Sequence, residues 1–128
     1  MSTRVLVVDD DAAVCRAVAV VLARSGFDVR TASDAAPALE VAQTWTPDLV
    51  VVDYNMPTSG LELVRRLKDK HGDSVFVAVL TGEDDEEMRE RCLAGGADAV
   101  LIKPIAPVEL RRRLTAAAVA LKTLLAAS

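Results

Sequence analysis

Five short apolar runs alternate with stretches of helical periodicity along this chain, and that alternation constrains the fold more than any other feature. The runs are 4–8, 27–32, 49–52, 75–80 and 99–102. Four of them are nearly continuous Val, Leu, Ile and Ala, as strands covered on both faces require, whereas 27–32 alternates weakly, as an edge strand does. Each intervening segment is long enough for a βαβ crossover, so the strands are expected to run parallel with helices on both faces. The expected class is therefore α/β, a doubly wound five-stranded parallel sheet.

The helical segments carry their own punctuation. Val14, Val18, Val21 and Leu22 recur at helical spacing between Asp11, a ready N-cap, and Gly26, a left-handed stop. Asp34 caps a second helix with Ala35, Ala38, Leu39 and Ala42 on one face, and Trp45 packs at its end before Pro47. Leu63, Val64 and Leu67 line a third helix over 61–70, with His71 solvated at its polar C-terminus. The acidic run 83–87 opens a fourth helix that Gly95-Gly96 ends, and a fifth runs from about Pro107 to the end of the chain. No linker or repeat divides the 128 residues, which read as one domain over 1–128 with a last helix extended beyond the core at about 115–128.

Composition narrows the class. With 52% hydrophobic but only 3% aromatic residues, the core must be built from Val, Leu and Ala. A net charge of −4 argues against direct nucleic-acid binding, which normally needs a basic face. No apolar run approaches the roughly 20 residues of a membrane span, and residues 1–4 lead straight into a strand without a secretory signal. Cys15 and Cys92 read as small apolar side chains in a reducing compartment, so the expected location is cytoplasmic.

The chemistry lies at the strand ends. In a doubly wound, flavodoxin-like sheet of order 2-1-3-4-5, the site lies outside the carboxyl ends of the strands, where the winding reverses. The first strand ends at Asp9-Asp10-Asp11, the third at Asp53, the fourth at Thr81 and the fifth at Lys103. Converging carboxylates repel one another, and a hard divalent cation such as Mg²⁺ (or Mn²⁺) resolves that repulsion. Lys103 adds a point charge and Thr81 a hydroxyl, a set suited to attack of a carboxylate on phosphorus.

On those residues the chain resembles a receiver domain of the two-component response regulators, of the chemotaxis-regulator type. The likeness is carried by Val-Leu-Val-Val-Asp-Asp-Asp at 5–11, Pro-Asp-Leu-Val-Val-Val-Asp-Tyr-Asn-Met-Pro at 47–57, Val-Leu-Thr-Gly at 79–82 and Gly-Ala-Asp-Ala-Val-Leu-Ile-Lys-Pro at 96–104. It implies a regulator rather than an enzyme, with Asp53 accepting phosphate from a sensor histidine kinase or a histidine phosphotransfer protein. Asp10 and Asp53 are implied as direct Mg²⁺ ligands, Asp9 as acting partly through water, and Asn55 as contributing its backbone carbonyl. Thr81 is implied as the switch hydroxyl and Lys103 as the cation on the phosphate. The Asn55 and Glu83 side chains are implied to flank the phosphoryl group and tune its removal by water.

Three departures from the family pattern stand out. Val100 replaces the Tyr or Phe usual three residues before the Lys, Ile105 replaces the usual Phe, and the loop 57–60 is one residue short. Two alternatives compete. A receiver-like interaction module independent of phosphate is motivated by Val100. An aspartyl-phosphate phosphatase resembling the haloacid dehalogenase family would use Asp9 as nucleophile and Asp11 as acid/base. Output is expected on the face formed by the fourth helix, fifth strand and fifth helix, toward an effector protein or an output domain. Arg111-Arg112-Arg113 reads as a solvated face. Leu110, Leu114, Ala117, Leu121 and Leu124 form a heptad-like seam, read either as a homodimer contact through the last helix or as a lead into an output domain.

Overall fold

The computed structural model describes residues 2–57 and 59–127, so Met1, Thr58 and Ser128, and with Thr58 part of the short loop 57–60, lie outside the described residues. Five strands form one sheet: β1 (Arg4–Val8), β2 (Asp28–Ala32), β3 (Leu49–Asp53), β4 (Phe76–Thr81) and β5 (Ala99–Ile102). Every neighbouring pair is parallel, and the order is β2-β1-β3-β4-β5, as the crossover pattern requires. The winding reverses between β1 and β3, which places their carboxyl ends at the crevice.

Five helices cover the sheet: α1 (Ala12–Arg24), α2 (Ala35–Thr44), α3 (Gly60–His71), α4 (Glu86–Ala94) and α5 (Pro107–Ala127). Alternate strand residues sort onto two faces. Leu6, Val8, Val50, Val52, Val77 and Val79 pack beneath α2, α3 and α4. Val5, Val7, Leu49, Val51, Ala78 and Leu80 pack beneath α1 and α5. β3 is buried at all five positions, including Asp53, so the chain's central strand carries a charge into the rim of the core.

The caps follow the sequence closely. Asp11 accepts from the backbone N–H groups of Ala13 and Val14 at 3.0 and 3.3 Å, and Asp34 accepts from that of Ala35 at 2.8 Å. Gly26 follows α1 with φ +94°, the left-handed stop expected of it. Trp45 is 5% exposed at the end of α2, flanked by the guanidinium groups of Arg4 and Arg30 at 5.5 and 4.8 Å.

Three expectations change. The acids at 83–85 do not open the fourth helix, because Asp85 takes the N-cap position and accepts from the Glu87 and Met88 N–H groups. His71 is not a solvated side chain. Its Nε2 is buried without a hydrogen-bond partner, and burial, then the charge of Lys70, holds its pKa below the usual value. The seam on α5 is not free along its length: Leu110, Leu114, Ala117 and Leu121 are buried against β1, β3 and α1, which leaves Leu124 exposed. The reason is reach, since α5 lies along the sheet and packs on α1 before it passes the edge of the core.

Candidate functional site

The carboxyl ends of β1, β3, β4 and β5 bring their polar residues to one rim. Asp9 and Asp53 are each 3% exposed and Thr81 is fully buried, whereas Asp10 stands in solvent. Each of Asp9, Asp10 and Asp53 offers one carboxylate oxygen, and the three oxygens lie within 4.8 Å of one another. Lys103, following β5, reaches in with Nζ 3.0 Å from Asp53 Oδ1 and 3.5 Å from Asp9 Oδ2.

Backbone groups hold these side chains in place. Asp9 Oδ1 accepts from the Asp11 N–H at 2.9 Å, and Asp53 Oδ1 accepts from the Asn55 N–H at 3.2 Å. The Lys103 N–H donates to the Thr81 carbonyl at 2.8 Å, tying the ends of β4 and β5 together. Thr81 Oγ1 accepts from the Glu83 N–H at 3.2 Å, so the hydroxyl and the exposed Glu83 belong to one turn. Gly60 leaves no room for a side chain, because a Cβ there would lie 2.7 Å from the Asp53 carbonyl oxygen.

Electrostatically the rim is under-neutralised. Three carboxylates face one ammonium, leaving a formal charge of −2 before any cation is added. Asp9 Oδ2 is buried and has no hydrogen bond; Lys103 stands near it as an ion pair only. Burial, reinforced by the charge of Asp53, pushes the Asp9 carboxyl above the usual range despite the Asp11 N–H and Lys103. Lys103 moves upward as well: burial opposes its charge, but its hydrogen bond to Asp53 and the charges of Asp9 and Asp53 outweigh that. A buried, unpartnered oxygen beside two further carboxylates is what a divalent cation with oxygen ligands fits, so the cluster can coordinate a divalent metal.

Sequence reasoning found the acids, Thr81 and Lys103, and the structure brings all of them together. Asn55 and Glu83 flank the cluster as exposed side chains, while Val100 is buried away from solvent among aliphatic residues. Two contributors were missed. Cys15 donates its thiol to the Asp9 carbonyl at 3.2 Å, a contact its helical position, six residues on, gives little reason to expect. Tyr54 was taken as the start of a loop, yet it packs on the core and pairs with Arg91 of α4. Asp11, needed as acid/base by the phosphatase alternative, is committed to capping α1.

A parallel sheet of this order with an acid cluster, a hydroxyl and a lysine at its switch point defines a phosphoryl-handling α/β module. The profile of the response regulator receiver domain matches residues 5–115, and the chain belongs to that family. It is 42% identical over 117 residues to response regulator MprA of Mycobacterium ulcerans (strain Agy99), covering 91% of this chain and 50% of that protein. It is 37% identical over 118 residues to the alkaline phosphatase synthesis transcriptional regulatory protein PhoP of Bacillus subtilis (strain 168), covering 91% of this chain and 48% of that one. The chain thus spans about half the length of these relatives. Among solved structures, a CheY-like receiver domain protein from Methanospirillum hungatei JF-1 superposes with a TM-score of 0.89 at 25% identity, over 96% of this chain and 98% of that one. Chemotaxis protein CheY4 of Vibrio cholerae gives 0.85 at 32% identity, over 90% and 98%. Among the described residues no helix is long and apolar enough to cross a membrane.

Proposed function

We propose that this chain is a phosphorylation-dependent switch in which Asp53 is the phosphoacceptor. The observation that carries the reading is the convergence of the Asp9, Asp10 and Asp53 carboxylates within 4.8 Å, with Lys103 Nζ 3.0 Å from Asp53. An Asp53 carboxylate oxygen attacks phosphorus of a phosphohistidine on a partner kinase or phosphotransfer protein. The P–O bond forms as the P–N bond breaks, and the imidazole leaves with the electron pair and takes a proton from solvent.

Mg²⁺ or Mn²⁺ would be held by Asp10 and Asp53, by Asp9 partly through water, and by the Asn55 carbonyl, and when bound it neutralises charge on the phosphoryl oxygens. Lys103 holds a second positive charge beside Asp53 and follows the oxygen charge as it develops. Thr81 presents a hydroxyl that donates to a phosphoryl oxygen once its present partner geometry is given up. Asn55 and Glu83 stand where their side chains limit the approach of water to the phosphoryl group. The altered face is that of α4, β5 and α5, toward an effector protein or an output domain. Residues 1–128 form one such domain, with the part of α5 beyond about residue 115 as an extension of it.

Mass spectrometry after treatment with acetyl phosphate and Mg²⁺ tests this reading. One phosphoryl group is expected on the unmodified protein and none on Asp53→Asn. Label on Asp9 instead would overturn it.

A further inference from the structure

Val100 leaves the site without a ring on β5, but one ring does stand between the acid cluster and α4. It belongs to Tyr54, the residue directly after Asp53. The Tyr54 backbone N–H donates to the Leu80 carbonyl at 2.8 Å, which pins it to β4 one residue before Thr81. Its partly buried side chain packs on the cluster that holds Met88 and Cys92 of α4 and Val100 of β5. Arg91 follows Met88 by three residues, so its stem leaves α4 on the same side. The Arg91 guanidinium hydrogen-bonds the Tyr54 side chain, and that bond is the main cause of its pKa standing above the ordinary value. Glu87, one turn earlier, competes for the same guanidinium at 3.6 Å.

α4 is a lightly held element, because only Met88 and Cys92 of its nine residues are buried. One further tether is therefore a large share of what fixes its position, and the helix is the kind of element that shifts at small cost. We propose that the Tyr54–Arg91 contact carries the state of Asp53 to α4, with Arg91 passing between Tyr54 and Glu87 as the helix moves. The inference rests on the phosphoacceptor reading above. A phosphoryl group on Asp53 draws the Thr81 hydroxyl, whose oxygen now accepts from the Glu83 N–H at the start of the loop into α4. That pull acts on the helix while Tyr54 stays fixed to Leu80. The two partners of Arg91 then define two discrete arrangements, as a coupling element requires.

The test uses Tyr54→Phe, Arg91→Gln and the double variant, each free and with beryllofluoride and Mg²⁺ as a phosphoryl stand-in. Phosphoryl uptake at Asp53 is followed by mass spectrometry, and amide exchange is followed over 86–94. Uptake is expected to be unchanged in all variants, while the exchange response of α4 is lost in both single variants. The Tyr54–Arg91 coupling from the cycle should differ between the free and beryllofluoride states by at least about two-fold. An intact α4 response in the single variants, or equal coupling in both states, overturns the inference while leaving Asp53 as acceptor. Failure of the unmodified protein to take up phosphate overturns the phosphoacceptor reading and this inference with it.

Discussion

Two lysines stand at opposite ends of the same sheet, and their surroundings are built differently. Lys68 of α3 lies at the amino ends of the strands, with Nζ 2.6 Å from both Asp98 Oδ2 and the Val75 carbonyl oxygen. Asp98 Oδ2 also accepts from the Val77 N–H at 2.8 Å, so one ammonium and one carboxylate close into a neutral, hydrogen-bonded clasp. Lys103, at the carboxyl ends, is shared between Asp53 and Asp9 and leaves Asp9 Oδ2 without a hydrogen bond. Asp10 adds a third carboxylate. A closed pair serves the fold, whereas an unbalanced one stores a demand for positive charge that a ligand can meet.

The largest expected effect separates the two by function. Replacing Lys103 with Met removes the ammonium beside Asp53 and should slow phosphoryl uptake from acetyl phosphate by about 100-fold, the scale of one lost electrostatic donor. Lys68→Met should leave that rate unchanged. Quenched time courses read by mass spectrometry compare them directly, and an equal loss in both variants would erase the distinction.

Stability should separate them in the opposite sense. Lys68→Met strands the Val75 carbonyl and leaves the Asp98 charge without its partner. Asp98 is 34% exposed, so solvent screens part of the cost. A loss of about 2 kcal/mol is expected from urea midpoints, the same with and without Mg²⁺. The loss in Lys103→Met should instead shrink when Mg²⁺ is present, because the ion takes over the missing positive charge. For the unmodified protein, Mg²⁺ at a hundred-fold excess over its Kd should add about 2.7 kcal/mol.

Much of this contrast was legible in the residue order, because a strand end is a sequence feature. Asp9, Asp53, Thr81 and Lys103 each follow an apolar run, and a parallel sheet gathers such ends at one edge. What was not legible depends on contacts between distant segments. The Lys68–Asp98 clasp joins α3 to the start of β5, and the Tyr54–Arg91 pair joins the β3 loop to α4, with no local pattern to announce either. The α5 seam misled for a related reason: its spacing is right for pairing with another helix, but its own sheet satisfies it first. The acids at 83–85 misled because helix caps and first-turn acids share a composition, and Asp85 turned out to be the cap.

Acidification should act on the functional end alone, with a sign set by Asp9. Its folded-state pKa lies above the usual value, so the folded protein takes up this proton before the unfolded chain does. Stability without metal should therefore rise as pH falls through that pKa, and the gain should end near the unfolded value. Mg²⁺ binding needs the ionised carboxylate and should weaken over the same interval, at a higher pH than for an exposed aspartate. Melting curves across the acid range, with and without Mg²⁺, should therefore converge on acidification. Asp9→Asn should remove the Asp9 contribution to both trends.

The smallest effects come from two glycines, one beside each lysine's end of the sheet. Gly96 sits at φ +110°, and a Cβ there would lie 3.4 Å from Lys68 Cγ. Gly96→Ala should cost about 1 kcal/mol through that left-handed backbone and leave phosphoryl uptake unchanged, because the clasp it presses on has no part in the chemistry. Gly60→Ala tests the other end, since its Cβ would lie 2.7 Å from the Asp53 carbonyl oxygen and backbone must give way. The displaced backbone is that of the acceptor itself, so uptake should slow as well as stability fall. Paired urea and uptake measurements on the two alanine variants would show whether a small steric insult stays structural at one end of the sheet and becomes functional at the other.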